Sequence, residues 1–311
     1  MKLLRSKADR LAVLVSISLI AITSCGKGSS GNVPVTPTPT PTPSKTSIPI
    51  NISTSIWSTK ATDTGFETND KVGIFIVNYS GSTPGTLAVS GNHATNISFT
   101  FSGSAWTGSS ALYWIDETTK ADFYCYYPYS PSVSSVTAFP FSVNANQSVE
   151  ANYKSSDLLW GKTSAVSPTS APVPITVKHA MSNLLVYLKP GTGFTQAQLD
   201  AATKSIVITN TKPNSTVNLS NGSVTATGTV ADISAKQENG YFRALIVPQT
   251  VNNVDLIRIT IDGKAFTFKQ TIDFISNKQY KCTLTVNKID EGIDIGIGGW
   301  DNDGTDYGGT V

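Results

Sequence analysis

The sequence predicts an all-β fold, built as two tandem β-sandwich domains. Three observations carry that reading. Charged side chains make up only 14% of the 311 residues, against about a quarter in ordinary globular chains, and Ser, Thr and Gly fill the gap, as in strands and turns. Apolar residues recur at period two in short runs separated by Gly, Pro, Asn and Asp, the pattern of half-buried strands. Helical composition is confined to 195–203, where Gln-Ala-Gln-Leu-Asp-Ala-Ala gives one short helix.

Residues 1–24 read as a secretory signal peptide. Lys2, Arg5, Lys7 and Arg10 precede an apolar run over 11–22, too short for a bilayer span of ~20 apolar residues. The stretch Ile22-Thr23-Ser24-Cys25 resembles the lipobox of bacterial lipoproteins. That resemblance implies cleavage before Cys25, lipidation of its thiol (palmitate among the acyl chains) and an outer-membrane anchor, since Gly26 stands where an Asp would favour inner-membrane retention. Each buried methylene of an acyl chain contributes about 0.8 kcal/mol, so several chains hold firmly. Residues 25–46 then form a tether. Over 33–43 proline alternates with threonine or valine, which removes backbone donors and favours an extended, semi-rigid polyproline II spacer.

Loss of residues 1–24 removes four basic residues and one acidic residue, so the formal charge falls from +2 to −1. Arg243 and Arg258 are then the remaining arginines. Nucleic-acid binding needs clustered Lys and Arg to neutralise phosphates, so nucleic acid is excluded as a partner.

The first domain is expected over 47–178. It opens with Ile48, Ile50, Ile52 and Ile56 alternating with Pro49, Asn51, Ser53 and Ser55. Proline within such a strand confines it to a sheet edge, so the first strand should be joined on one side only and be exchangeable. Further strands are expected over 71–79, 96–101 and 123–127, and a long one over 172–188, closed by Pro190-Gly191. The second domain, 179–311, should continue with strands over 205–209, 217–224 (folded about Asn221-Gly222), 241–247, 256–261 and 264–269. Asp262-Gly263 between the last two is a strong two-residue hairpin signal. Strands over 280–286 and 293–297 complete the set.

Residues able to carry chemistry are sparse. The two histidines, His93 and His179, read as hydrogen-bonded structural residues, and triads and zinc sites lack their parts. Asp301-Asn302-Asp303-Gly304-Thr305-Asp306 supplies half of a calcium loop and reads as a polar turn. Glu117, Asp122, Asp157 and Glu238 are scattered, whereas glycosidases need two carboxylates facing across a cleft. Gly296-Ile297-Gly298-Gly299 lacks the helix that would aim amides at an anion. The expectation is no enzyme, no cofactor and no metal. Cys125 and Cys282 sit in strand-like runs and are expected as two packed thiols, although an oxidising compartment permits a bridge. The cluster of Trp114, Tyr124, Tyr126, Tyr127, Tyr129 and Trp160 could bind sugar. Alternation should bury one set and expose the other, leaving tyrosines to stack on a glycan or a neighbouring subunit.

An ordered series of blocks resembles the fimbrillin family of Bacteroidales. It runs through Lys60-Ala61-Thr62, Phe66 and Asp70-Lys71-Val72-Gly73-Ile74-Phe75, then Leu112-Tyr113-Trp114 and Asp122-Phe123-Tyr124-Cys125-Tyr126-Tyr127-Pro128-Tyr129. Ser156-Asp157-Leu158-Leu159-Trp160-Gly161-Lys162, His179-Ala180-Met181-Ser182-Asn183-Leu184, Tyr241-Phe242-Arg243-Ala244-Leu245-Ile246-Val247-Pro248-Gln249 and Trp300 continue it. The resemblance implies two β-sandwich domains and a lipoprotein precursor of type V pilus subunits, with other fimbrial subunits as partners. For stalk subunits it also implies cleavage after a basic residue, here Lys60 before Ala61, which removes the first strand so that a neighbour's strand can fill the groove. Arginine is commoner at such a site, and Lys60 departs from it. Ile293, Ile295 and Ile297 share the first strand's period and either close the second domain, the favoured reading, or are donated to a neighbour. The tail over 301–311 makes a poor donor, which points to an anchor, tip or accessory member. The alternative function is a surface glycan-binding lipoprotein, with host or microbial glycans or proteins as ligands.

Overall fold

The computed structural model describes residues 47–56, 65–289 and 292–301, with side chains described as far as residue 287. Strands β1 (Ile52–Ile56), β2 (Lys71–Asn78), β3 (Ala94–Phe101), β4 (Trp106–Gly108), β5 (Ala121–Tyr127) and β6 (Phe139–Ser142) precede a short helix, α1 (Glu150–Ser155). Strands β7 (Leu159–Val166), β8 (Val173–His179) and β9 (Ser182–Pro190) lead to helix α2 (Gln196–Ala201). The chain continues as β10 (Lys204–Thr211), β11 (Asn214–Val217), β12 (Val224–Thr227), β13 (Ala231–Ser234) and β14 (Lys236–Gln237). It finishes with β15 (Phe242–Ile246), β16 (Gln249–Ile261), β17 (Lys264–Phe274), β18 (Gln279–Ile289) and β19 (Gly292–Asp301). The all-β prediction holds.

One seven-stranded sheet, in the order β1-β8-β7-β5-β2-β3-β4, uses strands from the first part of the chain alone. A four-stranded sheet, β13-β10-β16-β17, and a five-stranded sheet, β14-β15-β9-β18-β19, use the later strands. A small third sheet, β12-β11-β6, joins the two parts, because β6 pairs antiparallel with β11 from Phe139↔Val217 to Ser142↔Asn214.

Both faces of the large sheet are covered. Val72, Ile74, Ile76, Phe123 and Cys125 point into one cluster, and Phe75, Val77, Tyr124 and Tyr126 into another. A strand buried on both faces reads as a continuous apolar run, which is what Val72 to Val77 is. Gly73 stands opposite Tyr126, and a Cβ there would meet the tyrosine ring at 2.1 Å. The glycine lets the ring lie flat on the sheet.

The long strand expected over 172–188 is two strands. Between β8 and β9, Ala180 and Met181 are buried and the chain passes from the seven-stranded to the five-stranded sheet. The Ala180 N–H donates to the Leu158 carbonyl and the Met181 carbonyl accepts from Asn277 N–H. The break carries no glycine or proline, so hydrophobic period alone could not reveal it. The hairpin about Asn221-Gly222 is present, but its strands, β11 and β12, flank the expected span, with Val217 opposite Val224. Asp262 and Gly263 adopt φ of 46° and 81°, the left-handed pair of a tight hairpin between β16 and β17. Helix α2 starts at a capping box, in which Thr195 Oγ1 accepts from Gln198 N–H and Gln198 Oε1 accepts from Thr195 N–H.

Candidate functional site

The first strand is the feature whose sequence, position and chemistry converge. Its alternation is realised. Ile50 and Ile52 are each 5% exposed, Ile48 and Ile56 are half-buried against the same cluster, and Asn51, Ser53 and Ser55 face solvent. Ile50 and Ile52 share one buried cluster with Val173, Ile175 and Val177 of the neighbouring strand β8, and with Trp114 and Phe123. Trp114 is fixed by its indole N–H, which donates to the Thr169 carbonyl at 3.0 Å.

The backbone contacts explain why proline is tolerated. β1 runs parallel to β8, with Ile52 opposite Val173 and Ile56 opposite Val177, and it is the terminal strand of its sheet. Just before β1 the chain meets residues 112–114: Ile50 N–H donates to the Leu112 carbonyl at 2.9 Å and Trp114 N–H to the Ile48 carbonyl at 3.0 Å. Pro49, opposite Tyr113, lies between those two bonds and is asked for no donor. The pairing is one-sided along β1 itself, as the edge reading required.

One flaw stands in this strand. Thr54 Oγ1 is buried and has no hydrogen-bond partner among the described residues. A buried hydroxyl that stays unsatisfied costs ~1–3 kcal/mol.

Among the other residues singled out from sequence, Ile293, Ile295 and Ile297 lie on β19, whose backbone pairs antiparallel with β18 opposite Lys288, Val286 and Leu284. This strand ends the five-stranded sheet, so the two isoleucine-patterned strands sit at the margins of different sheets. Cys25, Lys60 and Ala61 lie outside the described residues, as do Trp57, the signal peptide and the tether.

The other candidates resolve into structure. His93 Nε2 lies 2.7 Å from the Tyr113 carbonyl, and His179 Nδ1 lies 2.8 Å from Asp157 Oδ1. Cys125 and Cys282 are buried free thiols in separate clusters, and burial pushes the Cys282 thiol up to about 12. Among the described residues no three His, Cys, Asp or Glu side chains converge as metal ligands. The aromatic expectation fails at β5: Phe123, Tyr124, Cys125 and Tyr126 are all buried, so neither set is left for a ligand. Tyr126 donates to Asn96 Oδ1 at 2.7 Å, and burial pushes its phenol up to about 12. Period two had promised one wet face, but the segment around β6 and α1 covers it.

These features define an all-β protein whose terminal strand is seated in a groove of its own sheet. The chain belongs to the fimbrillin-like family, whose family model matches residues 59–300. A fimbrium subunit, Fim1C, of Bacteroides uniformis is 24% identical over 257 residues, covering 78% of this chain and 81% of that relative. Two solved structures share the fold. One, of a cell adhesion protein from Bacteroides ovatus, has a TM-score of 0.64 at 14% identity, and another, from Bacteroides uniformis, has 0.61 at 20% identity. Each comparison covers 82% of this chain and 97% of the other.

Proposed function

We propose that this chain is a structural and adhesive subunit, or an anchor, tip or accessory component, of cell-surface fimbriae, exported as an outer-membrane lipoprotein through Cys25. Residues 47–178 and 179–311 serve as its two sandwich domains. Removal of the first strand by cleavage between Lys60 and Ala61 opens the groove over β8 to a strand from another subunit. Family membership supports the fimbrial role, and the fimbrium-subunit name of the Bacteroides uniformis relative agrees with it.

The observation that carries strand exchange is the seating of β1. It is a terminal strand, held by β8 on one side, with isoleucines at alternate positions in the core and Thr54 Oγ1 at its centre without a partner among the described residues. Removing it exposes apolar pockets beside unpaired backbone groups. A newly added strand gains affinity from main-chain bonds and specificity from the alternate pockets. In this reading Ile293, Ile295 and Ile297 close the five-stranded sheet, and the donor is a strand of a different subunit.

Mass spectrometry of the N-terminus, on protein recovered from its own cell surface, tests this. A chain beginning at Ala61 is the result for a polymerising subunit. A chain beginning at acylated Cys25 keeps β1 in place and assigns the anchor, tip or accessory role. An unlipidated chain beginning at neither residue overturns the export and processing scheme.

A further inference from the structure

A second feature lies away from the first strand. Between α2 and the turn joining β14 to β15 is a cleft of about 270 Å³, just below the usual range of ligand-pocket sizes. Half-buried Leu188 supplies apolar lining, with the edges of the buried Leu199 and Phe242 at the base of the cleft. Gln196, Asp200, Gln237 and Asn239 bring amide and carboxylate groups to the same space. Tyr241 also lines it, and its ring stacks on Tyr187 at 5.2 Å and 24° between planes. Lys281 Nζ lies 5.1 Å from the Tyr187 ring centre on the other strand flank.

The walls are held in place before any ligand arrives. Gln196 Nε2 donates to Asp200 Oδ1 at 2.8 Å across one helical turn. Lys204 Nζ donates to the carbonyls of Leu199, Asp200 and Ala202, so its charge closes the end of α2. Glu238 is held by Lys236 Nζ at 2.8 Å and Arg243 Nε at 2.7 Å. A site whose side chains are already ordered loses little freedom on binding.

We propose that this cleft binds the terminal unit of a neutral glycan. A sugar ring presents a patch of C–H groups on one face and hydroxyls around its rim. Apolar residues beside amides that both donate and accept match that division. The cation in the lining is engaged by carbonyls while Asp200 and Glu238 are carboxylates, so anionic sugars and phosphates are disfavoured. The volume suits one ring rather than the interior of a chain. An extended peptide is a poorer fit, because adding a strand here would use β14, which offers two residues at the sheet edge. The proposal is independent of strand exchange, since a subunit polymerises with or without a sugar site.

The test is saturation-transfer NMR on the mature chain with the methyl glycosides of galactose, glucose, mannose, fucose and N-acetylglucosamine. At least one should bind at millimolar concentration. Asn239→Ala and Gln237→Ala, both exposed and away from the core, should each weaken it roughly tenfold, because each removes hydrogen bonds to a hydroxyl. Thermal melting checks that both variants remain folded. Binding by none of the five overturns the proposal, as does binding that survives the double variant. Stronger binding of methyl glucuronide, or of an extended peptide displaced by the same substitutions, also overturns it.

Discussion

Asp122 enters the core of the seven-stranded sheet with 2% of its side chain exposed. Its Oδ2 lies 2.9 Å from Lys162 Nζ, and its Oδ1 accepts from Ala165 N–H at 2.8 Å, with Ala165 at φ 56°. Burial would raise the carboxyl, but the Lys162 ammonium and the Ala165 amide outweigh it and hold the group below its ordinary value. A carboxyl lowered in this way contributes stability above the unfolded value of about 3.9 and loses it as pH falls through the folded value. For Lys162 burial pulls down and the Asp122 contact pulls up, with a net rise. Its share is present below the unfolded value of about 10.4 and is lost as pH climbs through the folded one. Lys162→Met should therefore cost about 3 kcal/mol at neutral pH, the low end for a broken buried pair, because the lysine keeps some exposure. Urea unfolding of both proteins at pH 7 and near pH 3 checks this: the gap should shrink in acid. An equal gap at both pH values would mean that lost packing, not charge, explains the cost. Sequence reading had found Asp122 as a scattered carboxylate. Its partner lies across the β5–β7 register, Tyr124 opposite Lys162, and no local pattern links them.

At the scale of elements, β1 gives the sharpest prediction. A chain beginning at Ala61 should bind a synthetic peptide spanning 48–57. Ile50 and Ile52 are nearly fully buried, and each contributes ~1.5–3 kcal/mol of transfer free energy. Replacing Ile52 by Asp in the peptide should weaken binding at least a hundredfold, whereas Thr54→Val should tighten it about fivefold by removing the unpaired hydroxyl. Fluorescence anisotropy of a labelled peptide reads both, and equal affinities for all three peptides would show that the groove is not the binding site. This strand was legible because period two, one apolar face and Pro49 all describe the same margin of a sheet. Strands β4, β6, β13 and β14 were missed, being three, four, four and two residues long, too short for alternation to register. The eight-residue β7 was missed because Leu159-Trp160-Gly161-Lys162-Thr163-Ser164-Ala165-Val166 carries no period-two apolar pattern. Helix α1 was missed for a related reason: Glu150–Ser155 buries Tyr153 alone, which leaves no apolar stripe to see. The cleft beside α2 draws on residues from 188 to 242, and only the fold brings them together.

Across the whole molecule, the division near residue 178 marks where the chain changes sheets, yet one hydrophobic cluster runs from Phe75 to Val286. The segment over 136–160 ties the parts together. Phe139 to Ser142 pair with β11, the Trp160 indole donates to the Leu219 carbonyl at 2.9 Å, and Ser234 N–H donates to the Ala145 carbonyl. Gln147 is fully buried, and its side-chain amide both donates to the Leu245 carbonyl and accepts from the Leu245 N–H, each at 2.8 Å. It acts as an added strand residue on an edge that belongs to the other half. Two parts sharing a core and main-chain bonds should unfold together, so urea unfolding followed by tryptophan fluorescence and by far-ultraviolet dichroism should give coincident single transitions. Gln147→Ala leaves a buried N–H and a buried carbonyl unpaired and should cost roughly 2–5 kcal/mol while the transition stays single. Two separated transitions in the unaltered protein would mean that the halves are independently stable and that the shared cluster is a contact rather than a core. In a fibre the distinction has mechanical weight. Under the strand exchange proposed above, load arriving through the β1 groove would pass into the seven-stranded sheet, and from there through β6 and Gln147 into the strands beyond residue 182, which would make that junction the weakest link.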